Sequence, residues 1–270
     1  MMEDVAAAAQ LNSVGRPSLA KRVVARLGMY DLFLRARLAT ERRLPFGRYQ
    51  AELRFYRQLI RPGDMCFDIG ANFGQKTALF LDAGARVVAV EPQPVCLDLL
   101  RRSFQRRREL EIVPAALGAT EGEAELLLCD ETTTISTMSR RFAASGRFAS
   151  TYRWGRTIVV PTMTLDALVR RYGVPAYCKI DVEGYEANVL AGLSRPLPLL
   201  SFEFSREFMD IARECVRYLE GLGPTTFDCV LNHASTRLLG TWSASDVLLG
   251  RLDGIDDPLL VGVIYARGGS

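Results

Sequence analysis

Four ionisable side chains crowd the stretch KIDVEGYE, residues 179–186: Lys179, Asp181, Glu183 and Glu186. A carboxylate beside a lysine can take a proton from a hydroxyl. The ammonium keeps the acid ionised, and it can also steady a developing alkoxide. Asp181, nearest the end of an apolar run, is the first candidate for base or acceptor-orienting group, with Lys179 as its partner. If the strand continues through the motif, alternation puts Lys179, Asp181 and Glu183 on one side. Glu183 then either caps the helix GYEANVLAGL or faces a bound cofactor. The plainer reading is an ion-pair network that only orders a loop. His233, the single histidine, follows a late strand and is a second candidate base, because an imidazole titrates near neutrality. A divalent metal on Asp181, Glu183 and Glu203 would be another way to activate a hydroxyl. No ligand spacing demands one, and no metal is assigned.

A second stretch, FDIGANFGQKTALF (residues 67–80), supplies a binding site rather than reactive groups. An apolar run ends on Asp68, Gly70 and Gly74 follow four apart, and an amphipathic segment starts at Gln75. Such a turn out of a parallel strand lies at the switch point of a doubly wound sheet, where ligands bind. The glycines are expected to let the backbone approach the ligand, and the helix start offers free N–H groups to a carboxylate or phosphate. Glu91 ends the next apolar run, about twenty residues on, where an acid accepts hydrogen bonds from ribose hydroxyls.

Two nucleoside cofactors fit that outline. A dinucleotide calls for G-x-G-x-x-G, but the middle glycine is replaced here by Asn72, and Glu91 repels a 2′-phosphate. S-adenosylmethionine has no pyrophosphate: Asp68 would serve its ammonium, the loop amides its carboxylate and Glu91 its ribose. S-adenosylmethionine is therefore the expected cofactor. An NAD-dependent oxidoreductase and a non-catalytic nucleoside-binding partner protein are the alternatives.

The motifs FDIGANFG, VVAVEPQP, VPAALG, TLDAL, KIDVEGYEANVLAGL and FEF, between about Arg61 and Ser205, resemble in succession those of the FkbM-type methyltransferases. KIDVEGYE is the most specific of them. The resemblance implies methyl transfer from S-adenosylmethionine to a hydroxyl of a sugar, glycan or secondary metabolite. It carries Asp68, Gly70, Asn72 and Gly74 over as the cofactor loop, Glu91 as the ribose acid, and Lys179, Asp181, Glu183 and Glu186 as the group beside the reaction centre. Ala116, in VPAALG, is assigned to the cofactor pocket with them.

These residues need elements to hold them. MCFDIG, RVVAVE, EIVPAAL, AYCKIDV and LLSFEF read as short strands covered on both faces, with helices between the first two pairs, at Gln75–Ala83 and Pro94–Arg107. EAELLLCD and RTIVVPTM read as an added hairpin pair around a polar stretch, followed by the helix TLDALVRRYG. TTFDCVLNH and PLLVGVIYAR form a closing hairpin. The predicted fold is α/β: a class I methyltransferase (Rossmann-like) sheet of seven strands, mostly parallel, with a C-terminal antiparallel hairpin and N-terminal helices. The predicted division is a flexible N-terminus (1–17), a helical segment (18–60) and the methyltransferase domain (61–270).

Composition narrows the function classes. With 34 Lys+Arg against 31 Asp+Glu in 270 residues, a net charge of +3 is small for this length and argues against a dedicated nucleic-acid binder, whose electrostatic footprint is usually larger. No N-P-P-Y or D-P-P-Y follows the fourth strand, which disfavours methylation of base amino groups. The arginine run RRSFQRRREL reads as a solvated helix face. Six cysteines without a C-x-x-C pair read as reduced, buried thiols. No apolar run is long enough to span a membrane and no signal-peptide pattern opens the chain, so a cytoplasmic location is expected. The basic first helix leaves room for peripheral membrane contact.

Overall fold

The structure, a computed structural model, describes residue 40, residues 47–232 and residues 236–269. The expected flexible segment 1–17, nearly all of the expected helix before residue 47, and His233 lie outside the described residues.

The first described helix, α1 (Arg48–Tyr56), buries Tyr49, Leu53, Phe55 and Tyr56. It packs on α2 (Gln75–Asp82), which leaves the glycine turn directly. Glu52 lies on the same buried face and is neutralised there by Arg48 and Lys76.

The parallel strands β1 (Met65–Ile69), β2 (Arg86–Val90) and β7 (Tyr177–Ile180) are buried on both faces almost throughout. That is why they read as unbroken apolar runs. With β3 (Leu110–Val113), β8 (Leu200–Ser205), β9 (Thr225–Leu231) and β10 (Val261–Gly268) they form one sheet in the order β3-β2-β1-β7-β8-β10-β9. The pairs β3–β2, β2–β1, β1–β7 and β7–β8 are parallel, and β10 runs antiparallel to both its neighbours. A reversed strand slotted in beside the fifth is the class I methyltransferase arrangement. The carboxyl ends of five strands therefore meet along one edge.

Helix α3 (Pro94–Phe104) starts with proline in its first turn and ends with Arg101 and Arg102, both favourable placements. Helix α6 (Leu165–Tyr172) is capped by Thr164, whose hydroxyl accepts from the Ala167 N–H at 3.0 Å. Leu165 and Leu168 enter the core on one side of the sheet, whereas α1 and α2 cover the other. The cysteines are all free and buried.

EIVPAAL is not one strand. Pro114 has no N–H for the ladder, so the chain leaves the main sheet at Val113 and re-pairs as β4 (Ala116–Leu117). Together with β5 (Gly122–Leu128) and β6 (Arg156–Met163), β4 forms a second, three-stranded sheet in which β5 and β6 are the expected hairpin. The polar stretch between them contains two short helices that the pattern did not suggest, α4 (Arg140–Ala144) and α5 (Gly146–Thr151). Beyond β7, α7 (Glu186–Leu190) is shorter than the motif suggested. Helix α8 (Met209–Leu222) joins β8 to β9, and α9 (Ser245–Asp253) leads to β10. Among the described residues no helix is long and apolar enough to cross a membrane.

Candidate active site

The parallel ladder does not stop where the strands stop. The amides of Gly70 and Ala71 donate to Val90 O, and Glu91 N donates to Val113 O. On the other side of β1, Asp181 N donates to Ile69 O at 3.1 Å. Four strand ends, those of β3, β2, β1 and β7, are thus stitched together just past their last residues, which fixes the glycine loop, Glu91 and Asp181 on one ledge.

Glu91 is only 2% exposed. One of its oxygens accepts from Asn72 N and the other from Gln93 N, both at 2.8 Å. Burial pushes this carboxyl up to about 7, against the pull of the same two amides. Asn72 sits in the left-handed region (φ 49), so its amide turns back toward Glu91. The side-chain amides of Asn72 and Gln93 both donate to Thr133 O, at 3.1 and 3.0 Å. The loop between β5 and α4 is thereby fastened over the glycine turn.

Both glycines have positive φ, but the protein itself fills the space a Cβ would take. A Cβ on Gly70 would stand 1.9 Å from Asp181 O, and one on Gly74 2.5 Å from the Phe104 ring. Close packing of the β7 loop and of α3, rather than room for a ligand, is what requires glycine at these two positions. Asp68 also departs from expectation. Its side chain is fully buried, accepts from the Thr77 hydroxyl at 2.6 Å, and lies 3.4 Å from Lys179 Nζ. It braces the site from beneath and is closed to a cofactor ammonium. Ala116 packs its side chain with Leu126 and Val160 in the small sheet, so its methyl group is not brought to the ledge.

Lys179 Nζ also pairs with Asp181 Oδ2 at 3.0 Å. Burial opposes the ammonium, yet Asp181 and Asp68 hold its pKa above the ordinary lysine value. Asp181 is lowered despite burial, chiefly by Lys179 and by a hydrogen bond with Glu203. The strand ends at Ile180, so simple alternation does not carry to Glu183, which takes a left-handed turn (φ 55). The turn still returns its carboxylate: ligand oxygens of Asp181, Glu183 and Glu203 lie within 4.8 Å of one another. Burial, then the neighbouring carboxylates, push Glu183 and Glu203 well above the usual range. The cluster is short of positive charge and would take up protons or a cation.

Glu186, not Glu183, fastens the turn. Its Oε1 accepts from Val182 N at 3.2 Å and Gly184 N at 3.1 Å, and burial raises its pKa to about 7. Thr137 Oγ1 donates to Glu183 O at 2.7 Å. Phe142 of α4 lies against Gly184 and stacks on Phe148, 4.6 Å between ring centres. Sequence reasoning missed Gln93 and Thr133, and it named Glu203 only as a metal ligand. Gln93 had a visible signal, two residues past the strand-end acid. Thr133 acts through its carbonyl, which any residue carries.

With this geometry in view, comparison with known proteins is decisive. The family described as Methyltransferase FkbM domain matches residues 68–220. The chain belongs to the FkbM methyltransferase family. The match runs from Asp68 through the carboxylate cluster. The FkbM chain is 29% identical over 141 residues to the hexuronic acid methyltransferase AglP of Haloferax volcanii, covering 52% of this chain and 54% of that protein. It thus spans about half the length of this curated relative. Among solved structures, it is similar to methyltransferase FkbM from Methylobacillus flagellatus, with a TM-score of 0.46, 15% identity, and coverage of 79% of this chain and 50% of that one. Precorrin-6y C5,15-methyltransferase from Geobacter metallireducens gives a TM-score of 0.43 at 12% identity, over 84% of this chain and 92% of that one.

Proposed function

We propose that this FkbM-family methyltransferase uses S-adenosylmethionine to methylate a hydroxyl of a sugar, with uronic-acid-containing glycans the first acceptors to test. The observation that carries the reading is Glu91. A nearly sealed carboxylate at the switch point is costly for the fold, and its two oxygens, each held by one backbone amide, would accept the ribose hydroxyls. The named activity of the AglP relative supports the choice of acceptor.

The residues present fit this cofactor, which when bound supplies a methyl group on a positively charged sulfur. Glu91 would hold the ribose, and the first N–H groups of α2 would face the carboxylate. The carboxylate cluster, with Lys179 as its close lysine, favours a cation nearby. Asp181 is the ionised member and has an exposed edge, its side chain being 30% accessible. In this reading it accepts a hydrogen bond from the acceptor hydroxyl and then its proton. Lys179 keeps Asp181 ionised, and Asp68 with Thr77 keeps Lys179 in place. The loop held at Thr133 limits water on the Glu91 side. Orientation of this kind contributes up to about 7–11 kcal/mol, and a base within reach adds about 10²–10⁴-fold.

The test is calorimetry with S-adenosylmethionine, followed by mass spectrometry of uronic-acid glycans incubated with deuteromethyl-labelled cofactor. Saturable binding and a labelled O-methyl product are expected. A folded protein that binds no cofactor would end the reading.

A further inference from the structure

We infer that the cavity between β5 and Tyr185 is a sugar subsite, which takes a uronic-acid ring of the acceptor glycan next to the ring that is methylated. The inference rests on the glycan-methylation reading above for its purpose, though not for its geometry. The cavity has a volume of about 230 Å³ and is lined by Ala124, Glu125, Leu127, Met138, Arg140 and Tyr185. That is below the usual range for drug-sized ligands, roughly 300–1,000 Å³, and suits a single ring.

The walls follow from the added sheet. Leu127 and Thr137 exchange backbone hydrogen bonds of 2.9 and 3.0 Å, so the chain leaving the polar loop runs antiparallel beside β5. Met138 comes next and packs on the cluster of Ala116, Leu126 and Val160, which gives the cavity an apolar side. Thr137 also holds Glu183 O through its hydroxyl. From that anchor the turn runs on to Tyr185, whose ring comes within 3.8 Å of the Cβ position at Gly118, just past β4. Glu183 gives its carboxylate to the Asp181 cluster, and Tyr185, two residues on, lines the cavity. The cavity and the cluster therefore adjoin across Gly184, with the Cα atoms of Glu183 and Tyr185 no more than about 7 Å apart.

The lining has the chemistry a pyranose needs. Such a ring offers a face of C–H groups and a rim of hydroxyls. Tyr185, Met138 and Leu127 supply apolar contact, and the electron-rich face of a tyrosine ring attracts C–H groups. Among the described residues the Tyr185 hydroxyl has no hydrogen-bond partner. At the mouth Arg140 Nη2 donates to Glu125 Oε2, and these side chains are 78% and 56% exposed. An ion pair so open is worth little, so both members can turn to a ligand at small cost. Arg140 then presents its planar fork of donors to a uronate carboxylate, while Glu125 accepts from hydroxyls.

Methionine-methyl NMR of the full chain, with S-adenosylhomocysteine present throughout, tests this without turnover. The Met138 signal, assigned by its absence in Met138→Leu, is expected to shift saturably as oligogalacturonides of two or three rings are added. Affinity should fall about tenfold when the carboxyls of the oligomer are reduced to alcohols, and by a similar factor in Arg140→Gln. Tyr185→Leu, which keeps apolar bulk but loses the ring and its hydroxyl, should weaken binding several-fold. A Met138 signal unmoved by millimolar oligomer overturns the inference. So does binding that carboxyl reduction, Arg140→Gln and Tyr185→Leu all leave unchanged. A labelled methyl product with Met138 unmoved would sink the subsite and spare the methyl-transfer reading, whereas a saturable Met138 shift in a protein that binds no cofactor would do the reverse.

Discussion

Replacing Glu91 with glutamine separates what this residue does for the fold from what it does for the ligand. The carboxyl is raised from 4.5 to about 7 in the folded chain, with burial the largest cause. Between those values the folded form keeps a proton that the unfolded form has released. Stability is therefore full below about pH 4.5, falls as pH rises, and has lost its share above about pH 7. A shift of roughly 2.5 units at about 1.4 kcal/mol each makes that share about 3 kcal/mol. Glu91→Gln has nothing to titrate, whereas Glu186, also near 7, titrates in both proteins and cancels in the comparison. Urea unfolding at pH 4.5 and pH 8 should give a pH difference about 3 kcal/mol smaller in Glu91→Gln. Calorimetry on the same samples should show S-adenosylmethionine bound about 10–100-fold more weakly, the worth of a hydrogen bond or two to a charged acceptor. Wild-type affinity should rise from pH 6 to pH 8 as Glu91 ionises. If both proteins show the same pH dependence of stability, Glu91 is not the strained acid described here. If affinity is also unchanged, it does not hold the ribose.

Asp181→Asn should leave cofactor binding by calorimetry intact and lower single-turnover methyl transfer by about tenfold or more; unchanged turnover removes Asp181 from the chemistry. Gly70→Ala places a methyl group against Asp181 O at a φ of 76, at a cost of about 1–2 kcal/mol for the conformation and about 1 kcal/mol for the weakened Asp181–Ile69 bond. Denaturation should show a loss of at least about 2–3 kcal/mol, because the backbone of the Asp181 loop must also move aside, and a neutral result would mean the ledge yields easily. Methyl transfer in the presence of chelator is expected to persist, because Lys179 and protons already offset the cluster. Loss that magnesium restores would put a metal among Asp181, Glu183 and Glu203 instead.

What could be read in advance depended on how far apart the interacting residues lie in the chain. The glycine turn, the acid ending β2 and the KIDVEGYE cluster are local patterns, and each falls where the sheet order requires. Register between distant strands has no such local mark. Nothing near Asp68 announces that Thr77 and Lys179 will close around it, and it read instead as a free acid at a strand end. Glu203 joins Asp181 because β8 pairs with β7, a contact between segments some twenty residues apart. Pro114 shows the opposite case. The missing N–H inside EIVPAAL is visible in the chain, yet apolar character on both sides makes the run read as one strand.

The half of the site that would hold the nucleoside and the half that would handle the proton are joined by backbone at one place. Asp181 N donates to Ile69 O, and Asp181 O occupies the space that Gly70 leaves. Neither contact uses the Asp181 side chain. Substitutions of Asp181 or Glu203 therefore change charge and hydrogen bonding while leaving the distance between the two halves alone. Gly70→Ala does the reverse: it keeps every ionisable group and moves the ledge that aligns them. A loss of methyl transfer in Gly70→Ala with cofactor binding intact would thus measure alignment, and the loss in Asp181→Asn would measure the base. If both variants lost cofactor binding equally, the two halves would be one cooperative unit, and the division of labour between Glu91 and Asp181 would be wrong.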